Sequence, residues 1–485
     1  MTKTANGAGG DPSDRPSWRT SISFGLGAVA FGVKDGGFNY FLLLFYGTVV
    51  GLEPGLVGLA IFIALFVDAL SDPLVGYWSD NFRSRWGRRH PFIYASALPC
   101  AVSFWFLWNP PDGWSDAQLF AYLLVVAIII RTAITFYQTP SSAMLPELSS
   151  NYRERTRLEA YRVFFGWLGG ASLAALMFGV WLVPTEEFGD GILNRDAYST
   201  YGFVASILMF LSIVISGIGT HSEIAGFRDP PVRDRRLSIR EIFREIYESL
   251  ADKSFLAIFW TAVLGSTATG VSTSLTFIMW TYFWGFDEGE RFLLTAFVFL
   301  SVLVAFLLAP LAVRVWGKKR AVIRLGIVAF TVLPGIVALR LAGLLPENGD
   351  SALFPTVAVI YVIDMALVIA AQIVIYSMVA DLVEGGELRT GRRSEGVYYS
   401  AITFTRKTVV GIGALIGGLI LSAVAIPDGA DPSSVAEDKL FTLGALYAPA
   451  LFILWMGMLG AVSRYRIDEA THEANLRRLQ ERRGG

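Results

Sequence analysis

Asp68 and Asp72 lie four residues apart within 55–79, a stretch whose other side chains are mostly apolar. That spacing puts both carboxylates on one face of a helix. In a low-dielectric setting two such anions cannot both stay ionised unless a cation sits between them or one takes up a proton. The pair reads as a Na⁺ or H⁺ site, with the hydroxyl of Thr135, on a separate apolar stretch, as a neutral oxygen ligand. The rival reading is structural, with the carboxylates paired to Lys34, Arg131 or Lys407.

Other ionisable residues interrupt apolar stretches in the same way: Lys34, Asp35, Arg131, Asp364, Arg406 and Lys407. At the centre of a bilayer span each costs about 2.5–3.5 kcal/mol even on the lenient insertion scale, so each needs a reason. With about 1.5 Å of rise per residue, Asp35, Asp68 and Lys407 fall roughly 16–20 Å from a span end. That is near the midplane, where alternating-access carriers place their sites. Arg131, Thr135 and Gln138 share a helical face, which suits a cavity wall or a polar packing seam. The run from Ser266 to Ser274 reads as helix packing through small residues, with a pore lining as the alternative, and Asp364 as a lone structural polar residue. His90, His221 and His472 lie outside the predicted spans and take no role. The single cysteine, Cys100, excludes an internal disulfide and any cysteine metal cluster.

The elements that must hold these residues are membrane helices. The chain has 485 residues, 54% hydrophobic and only 17% charged, too few polar groups to solvate the surface of a globular protein that size. Apolar stretches predict about twelve spans: 22–50, 55–79, 91–109, 117–146, 158–183 and 200–220, then 254–284, 291–316, 321–343, 352–380, 396–426 and 440–463. The division is a tail (1–21), a six-helix bundle (22–220), a linker (221–253), a second bundle (254–463) and a tail (464–485). In the linker, Ser238 with Glu241 fits a capping box ahead of an amphipathic surface helix. The first 20 residues lack the apolar core and cleavage site of a signal peptide, so the first span is retained.

Lys and Arg gather in alternate loops, at Arg83 to Arg89, Arg153 to Arg157, Lys318 to Arg320 and Arg389 to Arg393. Positive charge marks the cytoplasmic side, so both termini and the linker are inside. The halves echo each other: Trp86-Gly87-Arg88-Arg89 is answered by Trp316-Gly317-Lys318-Lys319, as expected of a repeat-built transporter.

Three segments carry a family resemblance: Phe31-Gly32-Val33-Lys34-Asp35, Asp68-Ala69-Leu70-Ser71-Asp72-Pro73 continuing to Arg88-Arg89-His90-Pro91, and Ala380-Asp381 through Glu395 to Arg406-Lys407. The chain resembles the glycoside-pentoside-hexuronide:cation symporters of the major facilitator superfamily, which include the melibiose permeases. The resemblance implies an all-α membrane protein with the major facilitator fold, two six-helix bundles and alternating access. It implies cation ligands at Asp68, Asp72 and Thr135, and substrate contacts at Lys34, Asp35, Arg162 and Lys407. Gln138 stands where melibiose permeases have an aspartate, Ser142 where they have a tryptophan, and Arg131 where they have a small residue. Arg131 and Gln138 join the candidate substrate residues, and they make the cavity more positive, which points to an anionic group on the substrate. Asp80, Arg85, Arg88 and Arg89 are the expected cytoplasmic gate, pairing with neighbouring loops in the outward-facing state.

The reading is a plasma-membrane sugar or glycoside symporter, a uronide among its candidate substrates, driven by Na⁺ or H⁺. It is not an enzyme, needs no cofactor, works as a monomer in the bilayer, and binds no nucleic acid and no metal beyond a monovalent cation. A lysophospholipid symporter of the same fold is the alternative. A membrane-embedded prenyltransferase is a further rival, because Asp-x-x-x-Asp can hold Mg²⁺ and diphosphate.

Overall fold

In a computed structural model the chain is described over residues 16–149, 152–186, 188, 190–226, 253–390, 395–427 and 430–465. Its helices are α1 (Trp18–Leu26), α2 (Ala28–Gly36), α3 (Pro54–Asn81), α4 (His90–Leu107), α5 (Asp116–Leu148), α6 (Tyr152–Leu176) and α7 (Arg195–His221). They continue with α8 (Lys253–Ile278), α9 (Glu288–Trp316), α10 (Lys318–Leu341), α11 (Leu353–Thr390), α12 (Glu395–Val424) and α13 (Glu437–Ser463). Among the described residues, ten helices, α3 to α11 and α13, are long and apolar enough to cross a membrane. The interrupted run at 18–50 and α12 are further helical stretches. The predicted linker helix at Ser238 and Glu241, and the tail beyond residue 465, lie outside the described residues.

The first span is expected as one helix and is broken instead. After α2 the chain passes through π-helical turns at Gly37–Phe41 and Phe45–Val50, separated by Leu42–Leu44. Gly36 and Gly37 sit where the α-helix gives way to the first π-helical turns, and two residues without Cβ atoms weaken the helical ladder there. The run stops at Gly51, whose φ of 85° any side chain would strain. The next helix begins at Pro54, whose missing N–H would be unsatisfied there anyway. Glu53 caps it, accepting from the backbone N–H groups of Gly55 and Leu56 at 3.1 Å each.

The outward-facing side chains are those of a protein solvated by lipid. Along α9, Phe306 and Leu307 are 71% and 72% exposed, while Ala305, Ala309 and Ala312 on its other face are buried. Those alanines pack with Ala321, Ala370 and Ala371 of α10 and α11, small residues that let backbones approach where lipid removes the usual hydrophobic drive.

The chain forms two compact units. Unit 1 comprises Met1–Phe38, Val67–Met177 and Arg195–Arg233; unit 2 comprises Asn39–Phe66, Phe178–Asn194 and Asp234–Gly485. In unit 1, α2 packs on α6, and α4 on α5 and α7. In unit 2, α8 packs on α12, and α10 on α11 and α13. This is one pattern used twice, with the first and fifth spans of each half against each other and the third against the fourth and sixth. Backbone-close contacts hold the matching pairs. A Cβ on Gly32 would meet the Gly166 carbonyl oxygen at 1.9 Å, and one on Gly413 would meet the Thr267 oxygen at 2.2 Å. The echo between the two basic motifs thus reflects an architectural repeat.

Candidate cation and substrate site

The site in unit 1 is built on α2, α3, α5 and α6. Asp68 and Asp72 share a face of α3, and Thr135 of α5 comes between them. Its hydroxyl lies 2.8 Å from Asp68 Oδ1 and 3.1 Å from Asp72 Oδ1. A hydroxyl has one proton, so it donates to only one carboxylate at a time. The result is three hard oxygens converging at one place, the donor type that alkali and alkaline-earth cations prefer. Asp68 and Thr135 are buried, at 2% and 1% exposure.

One turn before Thr135, Arg131 is buried and loosely paired, with Nη1 3.5 Å from Asp68 Oδ2. Its Nε has no hydrogen-bond partner among the described residues. The guanidinium also stacks over Phe38, 4.5 Å from the ring centroid, and Asp35 and Asp72 act on it from farther away. Lys34 is buried and bonded to the half-exposed Asp35 at 2.5 Å. Arg162 of α6 is buried too; it donates to Ser142 Oγ at 2.8 Å and Glu159 Oε2 at 3.0 Å, with Phe24 under its guanidinium. Gln138 is half-buried on the same helix as Thr135.

Unit 1 thus contains Asp68, Asp72, Thr135, Arg131, Lys34, Asp35, Arg162 and Gln138, and it brings the first four into one cluster. The side chains of Lys407 and Asp80 lie outside the described residues. Of the expected gate residues, Arg88 pairs with Glu147 at the end of α5, and Arg89 Nη2 reaches the same carboxylate at 3.2 Å. Arg85 is exposed and stacks on Trp86.

Comparison with known proteins gives this geometry its context. The profile of a family described as MFS/sugar transport protein matches residues 23–469. The chain belongs to that family. It is 26% identical over 414 residues to the isoprimeverose transporter of Lactiplantibacillus pentosus, covering 84% of this chain and 80% of that protein. With the lactose permease of Lactobacillus delbrueckii subsp. bulgaricus it shares 23% identity over 408 residues, 80% of this chain and 60% of that protein. The solved xylose transporter XylE from E. coli superposes with a TM-score of 0.58 over 91% of this chain and 99% of its own, at 13% identity. That likeness fixes the fold as the major facilitator fold. The protein is therefore a multi-pass membrane transporter and not an enzyme, which sets aside the prenyltransferase reading of Asp68 and Asp72.

Sequence reasoning missed three partners. Glu147 is hidden at a helix end, beyond the apolar pattern. Ser142 registers as the loss of an indole rather than as the acceptor for Arg162. In unit 2, Arg291 of α9 is fully buried and forked onto Asp190, with Nη2 2.9 Å from Oδ1 and Nη1 3.2 Å from Oδ2. Thr281 Oγ1 accepts from Arg291 Nη1 at 2.9 Å. The signal was available: an arginine three residues inside an apolar helix needs a counter-charge. Its identity was not, because Asp190 comes from a loop.

Proposed function

We propose that this family member is a sugar or glycoside symporter that couples uptake to a monovalent cation held by Asp68, Asp72 and Thr135. The observation that carries the reading is the Thr135 hydroxyl standing within 3.1 Å of both carboxylates, Asp68 buried and Asp72 partly so. Relatives named as isoprimeverose and lactose transporters support a sugar substrate. Lys34, Asp35, Arg131, Gln138, Arg162 and Lys407 would contact it. Arg131 already has Asp68 as its counter-charge. That favours a neutral sugar over the anionic one suggested by the added positive charge, since a compensated guanidinium needs no substrate anion.

Cation binding stabilises the state with higher sugar affinity, and the loaded carrier then switches access. Arg88 and Arg89 serve the cytoplasmic gate with Asp80 and Arg85. The distribution of Lys and Arg supports cytoplasmic termini in a plasma-membrane protein. The test is uptake of labelled isoprimeverose, lactose, xylose and a uronide into proteoliposomes under an imposed Na⁺ or proton gradient. Accumulation of a neutral sugar driven by one gradient is expected. Uptake that only equilibrates under both gradients, or preference for the uronide, would contradict the reading.

A further inference from the structure

Asp364 sits midway along the membrane-crossing part of α11 and is only 4% exposed. No hydrogen bond or ion pair engages its carboxyl among the described residues, and none of their charged side chains acts on it. Every other carboxylate described above as buried has a partner. A buried acid without one among the described residues is costly to retain, and such residues mark functional positions.

Its surroundings are hydroxyls and aromatic rings. Tyr361 lies one turn earlier on α11, and Tyr447 of α13 is close enough to feel its charge. Ser272 of α8 lies near the Tyr447 phenol. Trp280 meets Tyr361 edge to face with centroids 5.3 Å apart, and Phe277 lies 5.2 Å beyond Trp280. A ring of aliphatic C–H groups studded with hydroxyls matches this set: the carboxyl accepts O–H donors, the phenols and Ser272 exchange hydrogen bonds, and the indole packs on the apolar face.

We propose that Asp364, with Tyr361, Tyr447, Ser272 and Trp280, forms a hydroxyl-binding site in unit 2 for a neutral polyhydroxylated ligand, a sugar ring. The inference rests on the sugar-transport reading above and adds a second recognition site to it. Recognition by buried polar groups discriminates strongly, because a ligand lacking the matching hydroxyl leaves the carboxyl unpaired.

The test is counterflow exchange of labelled isoprimeverose, lactose and xylose, with monodeoxy analogues of each, in proteoliposomes of the wild type, Asp364→Asn, Asp364→Leu and Trp280→Phe. Asp364→Leu should raise KM by about 10–100-fold and Asp364→Asn by less. Both should erase the wild type's rejection of one deoxy analogue while leaving cation affinity unchanged, which a merely structural role would not do. Equal weakening for every sugar with that rejection intact would overturn the proposal, as would KM within about twofold of wild type in both Asp364 variants. Loss of sugar-driven proton uptake at unchanged KM would also overturn it and assign Asp364 to coupling. Absence of exchange by the wild type would overturn the sugar-transport reading and this site together. Failure of the site alone leaves wild-type exchange intact.

Discussion

Two buried arginines, one in each unit, are paired with aspartates to opposite specifications. In unit 2, Arg291 and Asp190 meet through two short, parallel bonds, with Thr281 as a third contact for the guanidinium. In unit 1, Arg131 reaches Asp68 through one contact at 3.5 Å. Bidentate geometry is what repays the desolvation of two ions. The loose pair forgoes that return. Under the proposed function the tight pair serves as a structural fastener, while the cation binds beside Arg131, which keeps Asp68 as its counter-charge and repels the ion.

The comparison breaks first, and hardest, in unit 2. Arg291→Ala should destabilise the protein by about 3–5 kcal/mol in detergent unfolding experiments, because it strands the Asp190 carboxylate. Adding Na⁺ or lowering pH within the neutral range should not recover that loss. The double variant Arg291→Met, Asp190→Leu should regain most of it, since apolar side chains of similar size carry no desolvation penalty. Full stability in Arg291→Ala would show that the fork contributes nothing.

Removing the loose guanidinium should act on binding as well as stability. Arg131→Gln takes a positive charge from beside Asp68, so cation affinity should rise by about tenfold, which corresponds to 1.36 kcal/mol. Any loss of stability should shrink as the coupling cation is added, because a ligand that binds only the folded state stabilises it by mass action. Titration calorimetry of the cation together with melting curves checks both parts. Weaker cation binding in this variant would mean that Arg131 supports the site rather than competing with the ion.

The smallest expected effect sharpens the assignment of the third oxygen. Thr135→Val, which keeps the shape and loses the hydroxyl, should weaken cation binding about fivefold, the worth of one neutral hydrogen bond or ligand of roughly 1 kcal/mol. Thr135→Ser should stay close to wild type. Equal affinities in Val and Ser variants would remove Thr135 from the site.

The loose pair was legible in the sequence and the tight one was not, and the reason is geometric. Asp68, Asp72, Arg131 and Thr135 all lie deep inside long apolar stretches, where helical periodicity fixes which side chains share a face and where a charge stands out by its cost. Asp190 lies in a loop, which no period constrains, so its contact with Arg291 could not be placed. Glu147 was obscured in the same way by its position near a helix end. The interruption after Gly36 had a local signal in the two adjacent glycines, but hydropathy averages over such breaks and returned one continuous span. The repeated Trp-Gly-basic motifs hinted at two matching halves, but the close approaches of Gly32 to Gly166 and of Gly413 to Thr267 are displayed only by the structure.

The most direct measurement of the central claim is transport by Asp72→Asn in proteoliposomes, with concentrative uptake and substrate exchange recorded on the same preparation. The substitution removes one charge from the proposed cation site and leaves a side chain of nearly the same shape, so the sugar path is preserved. The account predicts that accumulation against a gradient disappears while equilibrium exchange persists. Uphill accumulation at the wild-type level would contradict it.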